Sequence, residues 1–217
     1  MTDSVVGAAP SVCSPRLIVF SDVTRASSEL VLERFAALAL AAKPESVLFI
    51  LRDYQLTPRA RLGFGRQLCQ VASQQRQWFG VAERADLALA LGASAIHLPE
   101  QGLAESDARA YLGPSLFVSR ACHEPARIGT IDADAVLLSP ILADRKGNPA
   151  LGIAALERAK RLLHNSSRAP RLFALGGVDA SNVASCLAAG ADGVAVIGAA
   201  LAPNPSSLLA ALQIDAS

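Results

Sequence analysis

Eight short apolar runs recur along this 217-residue chain, separated by longer amphipathic stretches, and no other feature limits the fold so tightly. The runs are RLIVFSD (16–22), SVLFILRD (46–53), QWFGVAE (77–83), SAIHLPE (94–100), SLFVSRA (115–121), AVLLSPI (135–141), RLFALGG (171–177) and GVAVIGA (193–199). Each is nearly continuous in apolar residues, as a parallel strand covered on both faces must be; a half-exposed antiparallel strand alternates instead. Helical patterns lie between and after them, at 27–42, 57–75, 85–92, 105–113, 123–130, 153–165, 181–190 and 206–213. Several end in glycine, which takes the left-handed stop at least cost, and Thr57-Pro58 reads as a cap followed by proline at the first helical position. Parallel neighbours need crossovers of about this length. The expected fold class is α/β, a single-domain (β/α)8 TIM barrel, with a doubly wound open sheet as the rival.

No linker interrupts the pattern, so residues 15–217 read as one domain, preceded by a flexible leader over 1–14 (MTDSVVGAAPSVCS). Twenty basic against nineteen acidic residues leave a net charge of +1. That balance gives no general attraction to nucleic acid or to an anionic membrane, so any anion site has to be local. Cys13, Cys69, Cys122 and Cys186 follow no metal spacing, and there is no secretory apolar region and no 18-residue apolar span. The expected location is the cytoplasm, with thiols reduced. The apolar helix faces suit a monomer or a homodimer.

In a barrel of this kind chemistry sits on the loops after the strands. Two small-residue turns, Gly176-Gly177 and Ile197-Gly198, fall after the seventh and eighth runs, where glycine lets backbone N–H groups approach a phosphate without a basic side chain. The same glycines would also serve plain helix–strand packing. Arg52, Glu83, Arg120, His123 and Lys146 stand at other strand ends or in the loops beyond them. His123 begins an expected helix and is either an acid/base group of near-neutral pKa or a solvated first-turn residue. Arg120 either grips a carboxylate or pairs with a neighbouring acid. His97 reads as a hydrogen-bonded core histidine, Cys122 as packing, His164 as surface, and Asp192 as a turn former. Lys43, Lys146 and Lys160 are the only lysines and none lies within a strand, which argues against Schiff-base chemistry.

The run ALGGVDASNVASCLAAGADGVAVIGA resembles the C-terminal signature of the thiamine phosphate synthase and TenI (thiazole tautomerase) superfamily. Phe20-Ser21-Asp22 stands where that family has an I-T-D-like strand end, and RADLALALGASAIHLPE (84–100) follows its R-x-D-L-A-L-x-x-G-A-x-x-x-H-L run. The resemblance covers roughly residues 16–202 and implies a role in thiamine metabolism with a small phosphorylated thiazole as ligand.

Within that superfamily the synthase joins a pyrimidine pyrophosphate to a thiazole phosphate, and magnesium neutralises the departing pyrophosphate. The resemblance departs from the synthase at several of the positions this needs. Its Asn-Asp is Ala82-Glu83 here, its G-Q-x-D is Pro99-Glu100-Gln101-Gly102, and of its Q-L-R-x-K element only Arg52 remains. Its T-x-T-K element reads Ala143-Asp144-Arg145-Lys146. Glu83 is the single candidate metal ligand, so no cofactor is expected unless the synthase reaction holds, when magnesium is. The tautomerase branch needs a phosphate anchor and a proton carrier and no metal. Val118-Ser119-Arg120-Ala121-Cys122-His123 resembles its R-S-x-H element and places His123 at the acid/base position. The resemblance therefore implies thiazole tautomerisation first. A divergent synthase and a non-catalytic binder of thiazole or thiamine phosphates are the alternatives.

Overall fold

The computed structural model describes residues 15–145, 147–164 and 169–216. The expected leader, residues 1–14, and Lys146 lie outside the described residues. Eight parallel strands close in sequence order: β1 (Leu17–Phe20), β2 (Val47–Leu51), β3 (Trp78–Ala82), β4 (Ala95–Leu98), β5 (Phe117–Cys122), β6 (Ala135–Leu138), β7 (Arg171–Leu175) and β8 (Gly193–Val196). β8 returns to β1 through Leu17↔Val194, Ile18↔Ala195 and Val19↔Val196. That pairing decides against the open sheet, which would leave β1 or β8 as an edge.

Around the barrel lie α1 (Ser28–Ala41), α2 (Pro58–Gln74), α3 (Ala85–Ala90), α4 (Glu105–Leu112), α5 (Ala154–Leu163), α6 (Val183–Ala188) and α7 (Ser207–Leu212). Helix α2 begins as its sequence dictates, with Thr57 Oγ1 accepting from Ala60 N–H at 3.3 Å and Pro58 at the first turn. The expected helix over 123–130 does not form. β5 runs through Cys122, and a 3-10 segment follows at Pro125–Thr130. Pro125 lacks an N–H and Gly129 disfavours helix, so a stretch this short closes in the tighter turn. His123 therefore stands at a strand end rather than in the first turn of a helix.

Alternate residues of each strand face inward. Ile18, Phe20, Leu48, Ile50, Ala82, Ala95, Phe117, Ala135, Leu137, Phe173, Ala195 and Ile197 form one buried cluster inside the barrel. The intervening residues pack beneath the helices, as Phe49 does against Phe35 of α1 with ring centroids 4.9 Å apart. At the N-terminal end Arg171 donates to Pro15 O at 2.6 Å and lies 5.1 Å from the Phe173 ring centroid. Asp192 binds Lys160 Nζ through both oxygens, at 2.7 and 2.8 Å, and accepts from Leu172 N–H at 2.8 Å. It thus ties α5 to β7 and is a structural residue. No helix among the described residues is long and apolar enough to cross a membrane.

Candidate active site

The inward phase of each strand determines what its C-terminal end presents. Continuing it past the hydrophobic layers brings Arg52, His97, His123 and Ser139 to a cavity of about 280 Å³ at the C-terminal mouth, with Tyr54, Glu83 and Glu100 from the loops. A second hollow, of about 710 Å³, is lined by Arg25, Gly177 and Gly198. Arg145, Leu175, Gly176 and Ile197 line both, so the two are halves of one cleft.

The cradle end is built by apposed loops. Leu142 N–H donates to Gly176 O at 2.8 Å, and Asn182 Nδ2 donates to Gly177 O at 3.0 Å. Gly176 and Gly177 both have positive φ, +96° and +76°. A Cβ on Gly177 would lie 2.8 Å from Ala143 N and 2.8 Å from Leu142 C. Only glycine fits such a turn. The N–H groups of Gly177 and Gly198 have no acceptor among the described residues.

Three guanidinium groups gather around one carboxylate at the junction. Asp22 accepts from Arg52 Nη2 at 2.6 Å and Arg25 Nε at 3.2 Å. Burial works to raise the Asp22 pKa, but the Thr24 hydroxyl hydrogen bond and the Arg52 and Arg25 charges hold it below the usual carboxylate range. Arg145 is pushed down by burial and by repulsion from Arg52 and Arg25, with Asp22 opposing. Asp53 does not share this duty, since it is bonded to the Ser21 hydroxyl and to Val23 N–H. A bound phosphate would relieve the repulsion among the arginines.

His123 Nδ1 lies 2.9 Å from Ser139 O and 3.1 Å from Ser139 Oγ, while its backbone N–H donates to Glu100 Oε1 at 2.8 Å. A carbonyl only accepts, so Nδ1 carries the proton of the neutral ring and Nε2 keeps a free lone pair. His97 is 8% exposed; its Nδ1 is 3.0 Å from Ser119 Oγ, and its ring meets Phe20 edge-on at 4.9 Å. Burial, with the charges of Arg120, Arg52 and His123, moves its pKa from 6.5 down to about 3. Between those values the unfolded chain binds a proton at this site that the folded chain does not. Stability therefore falls as pH drops through the window, by up to about 1.4 kcal/mol per pH unit. Urea melts at pH 6.5 and pH 5 should differ by about 2 kcal/mol from this group. His97→Gln should lose that much of the slope; an unchanged slope would assign the acid sensitivity elsewhere.

Arg120 takes the opposite phase from Ser119 and Ala121 and points between barrel and helices. It donates to Glu105 Oε1 at 2.5 Å, Pro99 O at 2.8 Å and Leu103 O at 2.5 Å, and it does not line the cavity. Of the other residues singled out in the sequence, Arg52, Glu83, His123, Gly176, Gly177, Ile197 and Gly198 all reach the cleft. Cys122 is buried and donates to Glu124 O at 3.2 Å; burial first raises its thiol to about 11. Sequence reasoning missed Arg25 and Tyr54 as site residues and gave Arg145 and Glu100, though beyond strand ends, no role in the site. Their signal was their place on loops after β1, β2, β6 and β4.

A model of the family described as "Thiamine monophosphate synthase" (TMP-TENI) matches residues 22–200. The chain belongs to this family. Its match runs from Asp22, at the arginine cluster, to the segment after Gly198, and so takes in all but the outermost lining residues of the cleft, Phe20 and Ala202. Among thiamine monophosphate synthase relatives, a thiamine-phosphate synthase of Methanoculleus marisnigri is 34% identical over 166 residues, 74% of this chain and 76% of that one. One of Gloeobacter violaceus is 32% identical over 157 residues, 70% of this chain but only 45% of that protein's length. Among solved structures, the thiamine phosphate pyrophosphorylase from Pyrococcus furiosus superposes with a TM-score of 0.71 at 21% identity, covering 91% of this chain and 93% of that one. At that identity the likeness establishes the shared fold.

Proposed function

We propose that this cleft joins a pyrimidine pyrophosphate to a thiazole phosphate and releases pyrophosphate, the reaction implied by the names of its relatives. Those names support condensation ahead of the tautomerisation that the sequence resemblance put first. The observation that carries the reading is the distribution of cations: Arg25 and Arg145 at the cradle half, Arg52 and Arg145 at the central half. A two-substrate reaction between anions needs two anion-receptive ends, whereas a single phosphate ester needs one. In this reading the N–H groups of Gly177 and Gly198 hold the thiazole phosphate, and Arg52 and Arg145 receive the pyrophosphate.

Among the described residues no three His, Cys, Asp or Glu side chains converge as a metal site, but Glu83 and Glu100 both line the central cavity. Magnesium is commonly held by one or two carboxylates with substrate phosphates completing its shell, and this pair fits that pattern. When bound, the metal would offset the charge of the departing pyrophosphate. Mixing both substrates with magnesium should give thiamine phosphate and pyrophosphate in equal amounts. Binding of both substrates without pyrophosphate release would overturn the condensation.

A second reading rests on His123, whose free Nε2 lone pair in the cavity suits proton transfer on a thiazole carboxylate phosphate. Its signature is exchange of a ring proton with deuterated solvent, slowed about 100-fold or more in His123→Gln. Binding with neither turnover nor exchange would assign a ligand-binding role.

A further inference from the structure

Arg61 is a buried cation that neither reading uses. It is 5% exposed, and its Nη2 donates to Ala82 O at 3.0 Å, at the end of β3, and toward Leu51 O at 3.5 Å, at the end of β2. Its Nε has no partner among the described residues. Burying a guanidinium with so few acceptors is costly, and the remaining contact is the face of Tyr54, whose ring centroid lies 5.1 Å from Arg61 Cζ.

Tyr54 also lies close enough to the Glu83 carboxylate for that charge to act on its hydroxyl, and Glu83 adopts φ +66°, a left-handed conformation uncommon for glutamate. Burial, then the Glu83 charge, pushes the phenol up to about 12, so it stays a neutral donor. Yet Tyr54 remains 50% exposed and lines the central cavity. One face of the ring is against Arg61, and the ring keeps exposed surface at the cavity. Phe20, Pro99, Leu175 and Ile197 supply apolar surface to the same cavity.

We propose that Tyr54 is a specificity-determining residue, a stacking face backed by Arg61 for a neutral heteroaromatic ring entering the cavity. The inference rests on the phosphate-anchored reading of the cleft. Offset stacking between aromatic rings adds selectivity without hydrogen bonds, and a face held rigid before binding loses little entropy on engagement. Arg61 acts through Tyr54 and is a positioning residue.

The test compares dissociation constants of wild type, Tyr54→Leu and Tyr54→Phe for three probes: 4-methyl-5-(2-phosphonooxyethyl)thiazole, 2-phenylethyl phosphate and n-butyl phosphate. Tyr54→Leu should weaken the two ring-bearing probes about five- to tenfold while leaving n-butyl phosphate within about twofold; Tyr54→Phe should keep most of the preference. Equal weakening of all three probes, or of none, would overturn the stacking role. Tyr54-dependent ring preference in a protein that releases no pyrophosphate from the two thiamine precursors leaves this inference standing and removes the condensation. Turnover with unchanged ring preference in Tyr54→Leu does the reverse. Failure of the wild type to bind any of the three phosphate esters removes both.

Discussion

Gly177→Ala is expected to raise the dissociation constant of a phosphate ester about 100-fold or more, measured by calorimetry on protein that remains folded. At φ +76° an alanine takes a left-handed conformation costing about 1 to 2 kcal/mol. Its methyl would also meet backbone, Ala143 N and Leu142 C, each at 2.8 Å. Those atoms cannot retreat independently, because Leu142 N–H is bonded to Gly176 O at 2.8 Å. The turn after β7 must move as a unit and takes the Gly177 N–H with it. A hydrogen bond to a charged oxygen is worth about 1.5 to 3 kcal/mol, so losing the Gly177 N–H donor accounts for the expected factor at the upper end of that range. Gly198→Ala is the control. Its φ is not in the left-handed region, and the nearest atom to its Cβ is Arg25 Nη1 at 3.5 Å, so a loss of about threefold or less is expected. Equal losses at both positions would show that the turn after β7 is not the phosphate anchor.

Gly193→Ala is expected to destabilise the barrel by about 3 kcal/mol or more, at the upper end of what overpacking costs. Its Cβ would lie 2.4 Å from Arg16 O and 2.5 Å from Phe173 Cε1. Phe173 is fully buried, and Arg16 O accepts from Val194 N–H at 3.0 Å in the seam that closes the barrel. Relief at either contact therefore repacks the interior or parts β1 from β8. For a chain of this size that corresponds to a fall in melting temperature of roughly 10 °C. Gly63→Ala, in α2 with nothing within 4 Å of its Cβ, should not destabilise. A Gly193→Ala variant as stable as wild type would mean that the β1–β8 seam has slack that its contacts do not show.

The strands were legible because a parallel strand buried on both faces leaves an unbroken apolar run, and the tight turn after β7 because Gly176-Gly177 follows such a run directly. The helix expected at 123–130 was not formed, because its proline and glycine outweighed a weak pattern. Arg120 shows a different limit. The sequence pattern puts it near a strand end like Arg52, yet it lies within β5, in the phase that turns it outward to Glu105. Sequence alone gave no means of counting that phase across β5.

What the sequence determined by itself was the set of parallel units, the family motifs and the glycine turn after β7, all of which depend on neighbours within a few residues. Only the tertiary structure decided that β8 closes on β1, which way each strand-end side chain points, and that Arg25, Arg52 and Arg145 meet around Asp22. The reason is physical. Local propensity acts between residues close in the chain, whereas a charge cluster assembled from loops 120 residues apart exists only once the barrel has brought their strand ends to one mouth.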